Sequence, residues 1–129
     1  MSGELKYYVA DLSFFFAENT SNRINYGPIL ENLVYIYARS LDYSVSMGRI
    51  GKLECDFIVR SMDMDYAYIQ VAYSIAGSRE IEDKEYRPFE TIPDNYPKYL
   101  MTMDSLLQKR NGINHVNFVD FMMEEKHFD

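Results

Sequence analysis

A chain of 129 residues is long enough for one domain that buries its own core without metals or disulfides. Thirteen basic residues against twenty acidic ones leave a net charge of -7 and a pI near 4.8, which opposes binding to a phosphate backbone unless positive charge is localised. With 47% hydrophobic residues, a single cysteine (Cys55) and no apolar run near the ~20 residues of a membrane helix, the composition argues against a disordered chain, a disulfide framework and a spanning helix, and fits a reducing, cytoplasmic setting.

Residues 1–3 read as a start placed ahead of an internal segment, so the chain is expected to be a fragment of a longer protein. Over 5–11, Leu5, Tyr7 and Val9 alternate with Lys6, Tyr8 and Ala10, which predicts an edge strand stopped by Asp11. Residues 12–17 form an aromatic patch with one helical turn, and 18–25 a polar loop. Pro28 then marks a helix start, because its missing N–H has no intrahelical partner at the first position, and the helix is expected over 28–40. Its apolar stripe is Leu30, Leu33, Val34, Tyr37 and Leu41, with Glu31 at the edge. Asp42 closes the helix, since aspartate tolerates a left-handed conformation. A short strand over 44–48, with Val45 and Met47 inward, and a glycine-flanked turn over 48–52 lead onward.

The next stretch is a hairpin that organises the rest. Residues 53–60 place Leu53, Cys55, Phe57 and Val59 on one face, and Lys52, Glu54, Asp56 and Arg60 on the other. Residues 66–74 set Ala67, Ile69, Val71 and Tyr73 against Tyr68, Gln70, Ala72 and Ser74, with an acidic turn at 62–65 between the strands. A loop beginning at Ala76 runs into a polar helix whose inward contacts are Tyr86, Phe89 and Ile92, and the prolines at 93 and 97 end it. A central strand follows at 99–103, then a turn at Asn111-Gly112, a strand over 115–118 and a closing helix over 119–125 with Phe121 and Met122 inward. The order is strand, helix, three strands, helix, two strands, helix. That is an α/β (α+β) fold in which a central mixed β-sheet is flanked by helices, one domain over 1–129. Leu33, Val34, Phe57, Val59, Ile69, Val71 and Leu100 are expected to be buried together.

An acid on a helix (Glu31), an acid in a strand (Asp56) and the run Gln70-Val71-Ala72 in the next strand resemble the restriction-endonuclease-like, PD-(D/E)XK core. The resemblance implies a site in which active members hold a divalent metal and position a water, with a lysine stabilising charge. Here Gln70 stands where the third acid would be, and Ala72 where the lysine would be. The ordered series KYYVAD from Lys6, ILENLVY from Ile29, ECDFIV from Glu54, YIQVAY from Tyr68, NYPKY from Asn95 and GINHVN from Gly112 is similar to the C-terminal domain of unknown function of bacterial and archaeal AAA-type ATPases. That likeness implies a nuclease-like domain following an ATPase module, which would be its partner in cis.

On their own chemistry these residues have simpler readings too. Glu31 suits the first turn of a helix, where the macrodipole favours an acid. Asp56, between Cys55 and Phe57, needs a partner or a metal, because a buried carboxylate left alone is costly. Gln70 reads as a hydrogen-bonded remnant, and Lys52 and Glu54 share the face of Asp56. His115 and His127 lack metal-site spacing and read as ordinary, while Lys109-Arg110 is too small a basic patch to carry nucleic acid. The expected function is a non-catalytic accessory or interaction domain of an AAA-type ATPase, with a degenerate site at Glu31, Asp56, Gln70 and Ala72 and no cofactor. The alternative is a metal-dependent nuclease using Glu31, Asp56 and a migrated lysine such as Lys52, with Mg2+ held weakly by the two acids. A third reading is a structural element that self-associates through the aromatics at 14–16. Gln70, Ala72 and the acidic charge favour the readings without catalysis, and neither membrane nor nucleic acid is an expected partner.

Overall fold

The computed structural model describes residues 3–18, 27–50 and 53–129. In chain order the elements are α1 (Gly3–Glu18), α2 (Gly27–Ser40), β1 (Ser44–Ile50), β2 (Leu53–Arg60), β3 (Tyr66–Val71), α3 (Arg79–Glu90), β4 (Lys98–Thr102), β5 (Lys109–Arg110), β6 (Ile113–Asn117) and α4 (Phe118–Met123). The strands form one mixed sheet in the order β1-β2-β3-β4-β6-β5. β1, β2 and β3 are antiparallel neighbours, β3, β4 and β6 run parallel, and β5 pairs antiparallel with β6. The parallel pair β3 and β4 is joined through α3, as a parallel connection requires a crossover.

Two apolar layers follow. On one face, Val9 of α1, Leu30, Leu33, Val34 and Tyr37 of α2, and Phe118, Phe121 and Met122 of α4 pack on Phe57, Val59, Ile69, Val71, Tyr99 and Met101. On the other, Tyr86 and Phe89 of α3 pack with Cys55, Tyr68, Leu100 and Ile113. The central strands are covered on both sides, so the four residues of β4 after Lys98 are all buried where a half-exposed strand would alternate.

Several sequence expectations need correcting. Residues 5–11 are not an edge strand but part of α1. Leu5, Val9 and Leu12 also lie at helical spacing, and that stripe faces the core while Tyr7 stays in solvent. The short helical turn expected over 12–17 falls within this helix, and most of the polar loop at 18–25 lies outside the described residues. β1 continues into the expected turn, to Ile50, and Met47, expected inward, is 85% exposed. Leu100 is buried with α3, apart from the other six residues of the expected core, because alternate residues of β4 serve opposite layers. β3 ends at Val71, three residues early, although Ala72 N still donates to Met101 O at 3.0 Å.

Candidate functional site

Strand β2 carries a local irregularity at the position of Asp56, in its pairing with β1. β1 pairs Ser46 with Ile58 and then Gly48 with Cys55, so that Asp56 and Phe57 together face Met47. Such a bulge adds a residue on one strand, breaks the ladder and changes which face the following side chains serve. Cys55 accordingly lies in the α3 layer while Phe57 and Val59 lie in the other, so the single apolar face expected for these three residues is split. Burial pushes the Cys55 thiol up to about 11, and the sulfur donates to Ile69 O at 3.2 Å and Phe57 O at 3.4 Å. A thiol so placed is a packing group, because the reactive thiolate is scarce at neutral pH.

Side chains take over where the β2–β3 ladder lapses. The Asp56 carboxylate accepts from Val71 N at 2.8 Å, and Asp56 N donates to Gln70 Oε1 at 3.1 Å. Gln70 Nε2 in turn donates to Glu85 Oε2 at 3.1 Å, which ties the end of β3 to α3. Asp56, Gln70 and Glu85 therefore form one chain of hydrogen bonds. Glu31 belongs to α2, whose buried side packs on the layer opposite α3. Ala72, half-buried, follows the end of β3. Lys52, the proposed migrated lysine, lies outside the described residues.

Glu85 was missed from sequence. Its signal is adjacency, since it immediately precedes the inward Tyr86 on α3, but only docking of that helix brings it to Gln70. As a donor set for Mg2+ these side chains fit poorly. A hard cation favours several oxygen ligands, whereas one Asp56 oxygen is already bonded to a backbone N–H and both ends of the Gln70 amide are engaged. Among the described residues, no group of three or more His, Cys, Asp or Glu side chains is placed to hold a metal ion.

The bracing role is measurable. Asp56→Ala should lower unfolding stability by ~1–3 kcal/mol, because Val71 N–H loses its acceptor, while Asp56→Asn, which keeps an oxygen there, should cost less. Urea titration of the three proteins checks this, and equal losses in both variants would contradict it.

A second polar cluster sits at the carboxyl ends of β3 and β4. Asp104 accepts from Ser74 Oγ at 2.5 Å and Ile75 N at 2.9 Å, and its own N donates to Thr102 Oγ1 at 3.1 Å. His115 is buried beside it, with Nε2 2.8 Å from Thr102 Oγ1 and Nδ1 accepting from Gln108 N at 3.0 Å. A backbone N–H can only donate, so neutral His115 carries its proton on Nε2. Burial lowers the His115 pKa, with Asp104 and then Glu82 pulling it partly back. A lowered folded-state value means that the unfolded chain binds the proton more readily. The stabilisation is thus fully present above the ordinary pKa of 6.5 and is lost as pH falls from there through the folded value. Urea midpoints should fall over that window, before carboxylates titrate, and should fall less in His115→Asn.

A cleft of about 600 Å³ opens elsewhere, between the loop after α3 and the β5–β6 turn, where Ile92, Asp94, Tyr96, Lys98 and Asn111 are among its lining. Its polar groups are largely spent within the protein: Lys98 Nζ donates to Asp94 O and Tyr96 O, and the Tyr68 hydroxyl donates to the Asp94 carboxylate.

No family model matches the chain, and no solved structure matches it. An uncharacterized protein of Haemophilus influenzae is 32% identical over 120 residues, which cover 92% of this chain. The matched region is 29% of that protein's length, so the chain spans less than a third of the curated relative. No helix among the described residues is long and apolar enough to cross a membrane.

Proposed function

We propose that this chain is a non-catalytic interaction domain, built on a restriction-endonuclease-like core and working as the accessory part of a longer AAA-type ATPase in the cytoplasm. The observation that carries the reading is the Gln70 amide, which links Asp56 N–H to the Glu85 carboxylate at the place where an active site of this type needs an anionic ligand. Ala72 adds the loss of the cationic group that would stabilise developing charge. The longer relative is consistent with a domain that serves a larger protein. Exposed Tyr7 and Phe14 on α1 and Tyr35 and Ile36 on α2 favour a protein partner over a polyanion, as does the net charge of -7. Of the aromatics at 14–16, Phe14 is the one whose side chain is described.

The test incubates pure protein with single- and double-stranded DNA and RNA and either Mg2+ or Mn2+. No cleavage is expected. Asp56→Asn serves as the control, because it keeps the Val71 hydrogen bond while removing the charge. Metal-dependent cleavage that disappears in this variant would overturn the reading in favour of a nuclease and make Lys52 the next residue to mutate.

A further inference from the structure

The connection between β4 and β5 is held by the Asp104–His115 cluster, and one of its holds requires an unprotonated nitrogen. We propose that the contact between Gln108 N and His115 Nδ1 is a proton-operated latch, whose protonation releases residues 105–108 while both flanks of the segment stay fixed.

In the neutral state Nδ1 accepts from Gln108 N at 3.0 Å. An imidazolium has a hydrogen on both nitrogens, so Gln108 N–H loses its acceptor and meets a second donor. Nε2 keeps its place between Thr102 Oγ1 at 2.8 Å and Asp104 Oδ2 at 3.7 Å, and the new charge strengthens the pull of that carboxylate. The charged groups around the ring are Asp104, from the loop after β4, and Glu82 of α3. Glu82 is itself shared with Arg110 of β5 at 3.1 Å.

The hinges are visible on either side of the latch. On one, Asp104 accepts from Ser74 and Ile75, and Asn117 Nδ2 donates to Asp104 O at 3.1 Å. On the other, Arg110 pairs with Glu82, with Asp83 at 2.8 Å and with Glu90 at 3.4 Å, and lies over the Tyr86 ring. Between them little apolar surface is at stake, since Leu106 is 88% and Leu107 51% exposed. Among the described residues, the other side-chain bond that holds the segment runs from Tyr86 OH to Gln108 Oε1 at 3.3 Å, which a moving side chain can follow. A segment with so few buried contacts is one that opens locally. What the proton then controls is how rigidly two adjacent leucines are presented.

The experiment is amide hydrogen exchange by NMR on the chain, followed from about pH 7.5 to about pH 5 and corrected for intrinsic rates, with the His115 ring resonance recorded alongside. Protection of the Gln108 amide should drop about tenfold further than that of the β4 and β6 amides, the worth of one hydrogen bond, in step with the ring titration, while β4 and β6 amides lose only what the fall in global stability takes. His115→Asn places an oxygen near Nδ1 without a titrating group, and its Gln108 protection should be constant. Should that variant not fold, the wild-type titration decides alone. The latch is refuted by constant Gln108 protection while the ring titrates, by a loss shared equally with β4 and β6, or by a ring that stays neutral until the whole chain unfolds.

Discussion

Tyr37→Ala should destabilise the chain by ~3–5 kcal/mol and lower its Tm by on the order of 10 °C. Tyr37 has no exposed surface, lies at the centre of the α2 stripe, and meets Phe121 and Phe128 edge-on at ring separations of 6.2 and 6.1 Å. Its hydroxyl donates to Lys126 O at 2.5 Å, and burial, reinforced by Glu125, holds the phenol protonated far above its ordinary range. Two further tyrosines fasten the same tail: Phe128 N donates to Tyr43 OH at 3.1 Å, and Tyr99 OH donates to Asp129 O at 2.7 Å. Alanine therefore opens a cavity and unseats the end of the chain together. Tyr37→Phe keeps the ring and removes only the donor, so its cost should be about 1 kcal/mol. Urea and thermal unfolding of both variants separate the ring from the hydroxyl. A phenylalanine variant as damaged as the alanine one would locate the effect in the hydrogen bond.

The second large effect is expected at Phe57. It is 6% exposed and packs in the layer shared by α1, α2 and α4, so Phe57→Ala should cost ~3–5 kcal/mol through lost transfer energy and the cavity left behind. Across the bulge, Met47 is 85% exposed, and Met47→Ala should change stability by less than about 0.5 kcal/mol. The pair tests the strand register, because a slip of one residue would exchange the inward and outward sets. Equal losses from the two substitutions would show that β1 and β2 are not paired as described.

Local chemistry by itself determined much of this fold. The helix read from Pro28 and its stripe appear as α2 with Leu30, Leu33, Val34 and Tyr37 buried, since a 3.6-residue period over 14 residues has few other solutions. β2 spans the eight residues read as a strand. The left-handed positions at Asp42 (φ 65°), Asn111 (φ 51°) and Gly112 (φ 73°) fall where turns were read, because those residue types tolerate that conformation. The mixed sheet with flanking helices followed from the order of elements.

Tertiary structure decided the rest wherever a local pattern admitted two answers or where the partner lay far along the chain. Leu5 and Val9 fit a period of two as well as a helical turn, and packing of α1 against α4 and the core selects the helix. Leu100 and Met101 are both apolar, so only layers on both faces of the sheet send them apart. The bulge that parts Cys55 from Phe57 depends on pairing with β1, which no periodicity within β2 encodes. The cluster around Asp56 has the same origin: Gln70 and Glu85 are 15 residues apart, and Gln70 finds its acceptor only once α3 lies across β3. His115 looked ordinary for a similar reason. Its two ring nitrogens are distinguished by Thr102 and Gln108, contacts that exist only when β4, β6 and the loop between them are in place.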